Sequence, residues 1–273
     1  VFSQPRCRLK DDTVKRYKKD QHFLIDKRVL DRIIGYGRLN SLDTVLEIGA
    51  GYGNLTGELA NKAGKVIAIE ADALLAASLY KWENVEVIIG DALKIEFPPF
   101  NKVISNLPYS ISSPVTFKLL HYKFELGILM YQYEFAKRMV ALPNTEDYSR
   151  LSVAVQYYAD VEILEIVPRT AFSTPPQVQS AIVKLIPRPA PYRVKDEDFF
   201  MRFITAVFSQ RRKKLRNAIL NNAALLGIKD IDIEEALGKL PHEMIDRRAE
   251  TIPSQELAML ADILYSIRSH EIT

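Results

Sequence analysis

The sequence is poor in cysteine. Among its 273 residues only Cys7 carries a thiol, which excludes an intrachain disulfide and makes a reducing compartment, the cytoplasm, the expectation. No apolar run approaches the roughly 18–20 residues of a membrane span, and the charged N-terminus lacks the apolar stretch of a signal peptide. No membrane partner is therefore expected. With 11 glycines and 14 prolines the chain is neither collagenous nor of low complexity. Neither sign of charge dominates, since 37 basic and 34 acidic residues leave +3.

What is present is the balance of a globular protein, 48% hydrophobic and 26% charged. The length suits one large domain or two unequal ones. The small net charge is unevenly spread. Residues 1–30 hold nine basic and four acidic side chains, and residues 184–216 hold ten and three. Two such blocks either meet a polyanion or are ordinary solvated faces.

Alternating prolines at Pro187, Pro189 and Pro191 break helix and sheet on both sides and mark a linker. This predicts a domain over 1–187, with 1–20 as a basic arm, and a second domain over 192–273. Before the linker, short apolar runs at 44–48, 65–69, 85–89, 102–105 and 126–130 alternate with helical stretches such as 55–63 and 74–80. That pattern predicts a parallel α/β sheet covered on both faces. Runs at 161–167 and 178–186 are candidates for an antiparallel hairpin at the sheet edge. After the linker, Phe199, Phe203, Val207 and Phe208 form one helical stripe and Leu257, Leu260, Leu264 and Ile267 another, predicting a small helical bundle.

The first strand runs into Glu47-Ile48-Gly49-Ala50-Gly51-Tyr52-Gly53. Glycines at alternate positions permit a tight turn and close approach of backbone to a ligand. Alone, such a turn fits a dinucleotide site, an S-adenosylmethionine site or no site at all. Three acids sharpen it. Glu47 inside the turn would repel a pyrophosphate but suits a ligand bearing an ammonium group. Glu70, 19 residues after Gly51, stands where a carboxylate accepts bonds from a ribose diol. Asp91, in Gly90-Asp91-Ala92, is placed either to accept from an adenine amino group or to cap a helix. Together they favour a methyl donor over a nicotinamide dinucleotide.

The fourth strand ends in Asn106-Leu107-Pro108-Tyr109. An adenine amino nitrogen is a poor nucleophile, because its lone pair is delocalised into the ring. Two acceptors on its N–H bonds, the Asn106 side-chain oxygen and the Leu107 carbonyl held by Pro108, would turn that lone pair toward a methyl donor. Tyr109 offers a face for the base. A strand-to-loop turn is the bland alternative for these residues.

In these motifs the chain resembles the KsgA-type dimethyladenosine transferases of small-subunit ribosomal RNA. The resemblance also rests on Gln21-His22-Phe23-Leu24, on the loop 172–180 and on the basic run 208–217. It implies a class I, Rossmann-like S-adenosylmethionine methyltransferase fold with a small helical C-terminal domain. It implies two methyl transfers to N6 of each of two adjacent adenosines in a hairpin near the 3′ end of the RNA, on a small-subunit precursor. By the same resemblance Gln21, His22, Leu24, Gly49, Gly51, Glu70, Asp91, Ala92 and Asn106 would hold the cofactor. Phe172 would wall the target base opposite Tyr109, and Arg211, Arg212, Lys213, Lys214 and Arg216 would contact RNA. A monomer is expected. The other readings are an assembly factor released by methylation, a large-subunit rRNA methyltransferase and a DNA adenine methyltransferase. Departures from the family pattern are Asp20 before the glutamine, and Thr174, Gln177 and Gln179 in the late loop.

Overall fold

The computed structural model describes residues 22–228 and 233–270. Gln21 and the basic arm over 1–20 lie outside the described residues.

Contacts divide the chain into two units. The first runs to Tyr133 and resumes over Glu162–Pro187. Its sheet comprises β1 (Thr44–Ile48), β2 (Lys65–Glu70), β3 (Val85–Ile89), β4 (Lys102–Asn106), β5 (Leu126–Gln132), most of β6 (Ala159–Val167) and β7 (Ser180–Pro187). Their spatial order is β3-β2-β1-β4-β5-β7-β6. The first five strands pair in parallel, and β7 lies antiparallel to β5. Strands β1, β2, β4 and β5 are buried along most of their length, as their unbroken apolar runs require. This is the class I methyltransferase architecture. The order reverses between β1 and β4, and open parallel sheets bind ligands at such a switch, beyond the strand carboxyl ends. The register aligns those ends: Ile48 pairs with Ile69, Glu70 with Ile89, and Asn106 with Met130.

Helices α1 (Lys27–Gly37), α2 (Asn54–Ala60), α3 (Ala73–Ala76) and α4 (Ser112–Leu119) flank these strands. The α1 start is capped by Asp26, whose carboxylate accepts from the Arg28 N–H at 2.9 Å. The stretch predicted helical at 74–80 is one short α-turn followed by 3-10 helix over Ala77–Lys81. At the amino ends of the strands, Lys102 Nζ lies 2.9 Å from Asp43 Oδ2 and donates to the Arg38 carbonyl at 3.0 Å. Asn101 Nδ2 donates to the other Asp43 oxygen at 2.8 Å. Burial alone would raise the Asp43 pKa, but bonds from Asn101, Asn40 and Lys102 outweigh it and hold the carboxyl below its usual range.

The second unit comprises Glu134–Val161 and Arg188–Thr273. It holds most of α5 (Tyr133–Val140), then α6 (Arg150–Tyr158), α7 (Glu197–Ser209), α8 (Leu215–Asn221) and the shorter α9 (Ala223–Leu226), α10 (Ile233–Gly238) and α11 (His242–Ile245), and closes with α12 (Ser254–His270). The helical reading of the C-terminal stripes is met: Phe199, Phe203, Val207, Leu257, Leu260 and Leu264 are buried. The division differs from the one expected at the prolines, because 134–161 packs with the helices that follow the linker. The reason is lateral packing. Tyr157 on α6 meets Phe200 on α7 with centroids 5.4 Å apart, and Tyr148 meets Phe208 at 5.6 Å. Partners this remote in sequence leave no mark in the local pattern.

Candidate cofactor and reaction site

The glycine turn links β1 to α2. Gly49, Gly51 and Gly53 have φ of 75°, 57° and 87°, a region that side chains disfavour. Space makes the same demand. A Cβ on Gly49 would stand 2.9 Å from the Pro108 ring, and one on Gly51 would stand 2.8 Å from the Phe23 ring. The turn thus packs against both the N-terminal motif and the 106–109 tetrad.

Glu70, at the end of β2, is buried and receives the Gly51 N–H on one oxygen at 2.8 Å and the Asp72 N–H on the other at 2.9 Å. It both shapes the glycine turn and walls the cavity beside it. That cavity is lined by His22, Phe23, Gly49, Gly51, Glu70, Leu75, Asn106, Leu107, Pro108 and Tyr109. Two adjoining pockets share its walls. One adds Glu47, Tyr52 and Asn54, and the other adds Gly90, Ala92 and Ile111.

Glu47 is 2% exposed, and its Oε2 is buried without a hydrogen-bond partner. Burial, reinforced by the charge of Glu70, pushes its carboxyl up to about 8 although Thr56 opposes the shift. An orphaned carboxylate at a cavity wall is completed by a cationic ligand. Together with glycines that keep side chains out of the turn, it makes the donor set fit S-adenosylmethionine.

The tetrad closes the opposite wall. Asn106 Nδ2 donates to the His22 carbonyl at 3.0 Å, which orients the amide with its oxygen turned the other way. Leu107 is buried and anchors its own backbone. Tyr109 Oη lies 2.6 Å from Ser180 Oγ, and the His22 ring stands 5.4 Å from the Tyr109 ring at 34°. His22 Nδ1 lies 2.7 Å from the Thr174 carbonyl oxygen, so the late loop and the N-terminal motif meet here.

Two expected residues, Phe172 and Asp91, do not line the cavity. Phe172 is 2% exposed in the core cluster with Leu24 and Ile182, and its backbone bridges Leu24. Its ring is thus packed in the core rather than exposed at the cavity wall. Leu24 packs its side chain in the core cluster yet also lines the adjoining pocket beside Glu47, Gly49 and Asn106, and its carbonyl accepts from Asn54 Nδ2 at 2.9 Å. Asp91 caps its own turn, accepting from the Leu93 N–H at 3.0 Å, with Lys94 Nζ 3.8 Å away; its neighbours Gly90 and Ala92 line the cavity instead. Sequence reasoning missed Phe23, Tyr52, Asn54 and Leu75 as lining residues. Phe23 and Tyr52 lie with ring centroids 4.7 Å apart; Tyr52 stands between Gly51 and Gly53, so alternation along the tight turn was an available signal for it.

In the second unit the basic run is a turn between α7 and α8 rather than a helix face. Arg211 Nε donates to Glu250 Oε2 at 2.6 Å, and Lys214 pairs with Asp246 at 3.2 Å. Arg212 and Lys213 are exposed, and Arg216 enters the first turn of α8. Arg248, in a predominantly acidic segment, lies alongside: its backbone bridges Lys214, and Leu215 N–H donates to the Arg247 carbonyl at 2.8 Å. Arg211, Arg212, Lys213 and Arg248 line one groove with Glu146 and Glu250.

A family model described as ribosomal RNA adenine dimethylase matches residues 13–252. A probable ribosomal RNA small subunit methyltransferase A of Methanosarcina acetivorans is 58% identical over 254 residues, covering 92% of this chain and 94% of that protein. Its counterpart in Natronomonas pharaonis is 47% identical over 256 residues, covering 90% of this chain and 92% of that one. Among solved structures, a dimethyladenosine transferase from Plasmodium falciparum superposes with a TM-score of 0.77 at 32% identity, covering 91% of this chain and 98% of that one. The 23S rRNA methyltransferase ErmE superposes with a TM-score of 0.63 at 27% identity, over 89% and 99%.

Proposed function

The chain belongs to the ribosomal RNA adenine dimethylase family, and from that premise we propose how its residues carry the reaction and on what substrate. It is an S-adenosylmethionine-dependent methyltransferase acting on N6 of adenosine in ribosomal RNA. Among the described residues no helix is long and apolar enough to cross a membrane. We infer that the substrate is a small-subunit precursor carrying two adjacent adenosines in a hairpin near the 3′ end of its RNA.

The cofactor's sulfonium supplies an electrophilic methyl group. Glu47, Glu70 and the backbone of Gly49, Gly51 and Ala92 would hold it, with Glu47 ionised against its positive charge. The rest is done by the tetrad. The Asn106 side-chain oxygen and the Leu107 carbonyl accept from the two N–H bonds of the target amine and aim its lone pair at the methyl. Tyr109, braced by Ser180 and His22, gives the base a rigid face. The methylated nitrogen is a strong acid and releases its proton without a dedicated base.

The observation that carries this reading is the bond from Asn106 Nδ2 to the His22 carbonyl, because it leaves the amide in the acceptor orientation toward the amine. The test is incubation of unmethylated small subunits with labelled S-adenosylmethionine, followed by nucleoside mass spectrometry. N6-dimethyladenosine is the expected product. Asn106→Ala should lower kcat by about a hundredfold or more, the scale for removing one oriented hydrogen-bonding group from a transition state, while cofactor affinity changes little. Full activity in that variant would overturn the assigned role.

A further inference from the structure

The cavity wall at Gly90 and Ala92 begins a turn whose ends are held by two different devices. At its start the Asp91 carboxylate accepts from the Leu93 N–H at 3.0 Å, and the Lys94 and Ile95 N–H groups donate to the Asp91 carbonyl at 2.8 and 3.1 Å. At its end the open carbonyls of Ala92 and Ile95 face a residue from elsewhere in the chain. Lys118 Nζ donates to the Ala92 carbonyl at 3.0 Å and also to the Ile95 carbonyl. The ammonium rests over the Phe97 ring, 4.3 Å from its centroid. One cation thus satisfies two carbonyls at the closing end of a turn and is itself held by an aromatic face.

The turn carries this clamp into the cavity. A Cβ on Gly90 would stand 2.7 Å from Ile95 Cδ1, so the Ile95 side chain lies against the Gly90 backbone. Gly90 and Ala92 both line the pocket that shares Gly49, Glu70 and Pro108 with the main cavity. Lys118 itself stands on α4, the helix that follows directly from the 106–109 tetrad and its 3-10 turn.

We propose that Lys118 is a positioning residue for the cofactor: it clamps the Asp91–Ile95 turn so that Gly90 and Ala92 form a fixed wall, and it ties that wall to the helix leaving the reaction tetrad. The proposal rests on the functional reading above. It predicts an effect on cofactor affinity rather than on the chemical step, since Lys118 touches neither the tetrad nor the cavity.

The experiment measures S-adenosylmethionine binding by calorimetry and steady-state methylation of unmethylated small subunits, using the full chain. Lys118→Met, which keeps the stem and removes the donors, should raise cofactor Kd and KM about tenfold, the scale on which charge-assisted hydrogen bonds act. At saturating cofactor, kcat should stay within about twofold. Lys118→Arg can meet both carbonyls and should bind within about threefold of wild type. Should Lys118→Met fail to fold, Lys118→Gln, a neutral donor, is expected to bind with intermediate affinity. Wild-type affinity in Lys118→Met or Lys118→Gln overturns the proposal, as does a fall in kcat that saturating cofactor does not restore. Wild-type protein that binds no S-adenosylmethionine would instead overturn the reading of the site.

Discussion

The Ser105 hydroxyl bonds both backbone groups of Ile48, accepting from its N–H at 3.2 Å and donating to its carbonyl at 2.5 Å. Ser105 precedes Asn106 on β4, and Ile48 precedes Gly49 on β1. The backbone pairing between the two strands lies further back, at Val45 with Lys102 and Leu46 with Val103. At the carboxyl ends a side chain takes over the pairing. Pro108 packing against Gly49 closes the same junction from the ligand side. The glycine turn and the 106–109 tetrad are thereby held at one separation, which in-line transfer would demand of the proposed site.

Ser105→Ala should therefore slow transfer more than it weakens binding. Two buried backbone groups lose a partner, at a stability cost of about 1–3 kcal/mol. Steady-state kinetics at saturating cofactor should show kcat reduced about tenfold, with cofactor Kd little changed. An unchanged kcat would mean that the junction does not set the geometry.

Glu47 predicts a pH dependence. Its carboxyl titrates near 8 in the ligand-free protein, and a cationic ligand favours the ionised form. Cofactor affinity should rise with pH and level off above about 8, with protons released on binding below that point. Calorimetry in buffers of different ionisation enthalpy reads the release. Stability of the ligand-free protein has the opposite slope. The unfolded carboxyl ionises near 4.5, below the folded value, so between the two the folded state binds more protons and stability falls as pH rises. Glu47→Gln removes that penalty. Its melting temperature should exceed wild type by a margin that grows from about pH 5 to about pH 8, while its cofactor binding is weak at every pH.

The exposed pair Arg212 and Lys213 bears on RNA binding. Replacing both with alanine should weaken subunit binding and reduce the slope of log affinity against log salt by about 2, one for each phosphate no longer neutralised. Methylation at saturating substrate should be spared. An unchanged salt slope would assign this groove no role in holding phosphate.

The buried pair of Asp43 and Lys102 should be structural. Asp43→Ala strands an ammonium whose side chain is 9% exposed, a change expected to cost about 3–5 kcal/mol. The folded carboxyl titrates below its ordinary value, so its stabilisation is present above the unfolded pKa and is lost as pH falls through the folded one. Acid melting curves should show that loss in wild type and not in Asp43→Ala. Cofactor affinity of the folded variant should match wild type, because the pair lies at the far end of the strands.

Much of the site was legible because its chemistry is local. Gly49, Gly51 and Gly53 answer a backbone demand within one short turn, and Pro108 follows Asn106 closely on the same segment. The five parallel strands showed as unbroken apolar runs because burial on both faces removes the need for polar alternation. Asp91 and Phe172 were less legible. A carboxylate after a strand caps a turn or meets a ligand with the same residue type, and an aromatic beside a loop is buried or open according to neighbours such as Leu24 and Ile182, of which Leu24 is remote in sequence.

Residue order alone determined most of the strand and helix pattern, the glycine turn, the place of the 106–109 tetrad at a strand end and the family to which the chain belongs, because these depend on spacing and on backbone freedom at single positions. Only the tertiary structure decided that 134–161 joins the C-terminal helices, that Arg248 borders the basic turn, that Asn106 turns its nitrogen to His22 and that Glu47 has a buried oxygen without a partner. Those outcomes are set by packing between segments far apart in the chain, where burial and competing partners, not residue type, choose what a side chain does.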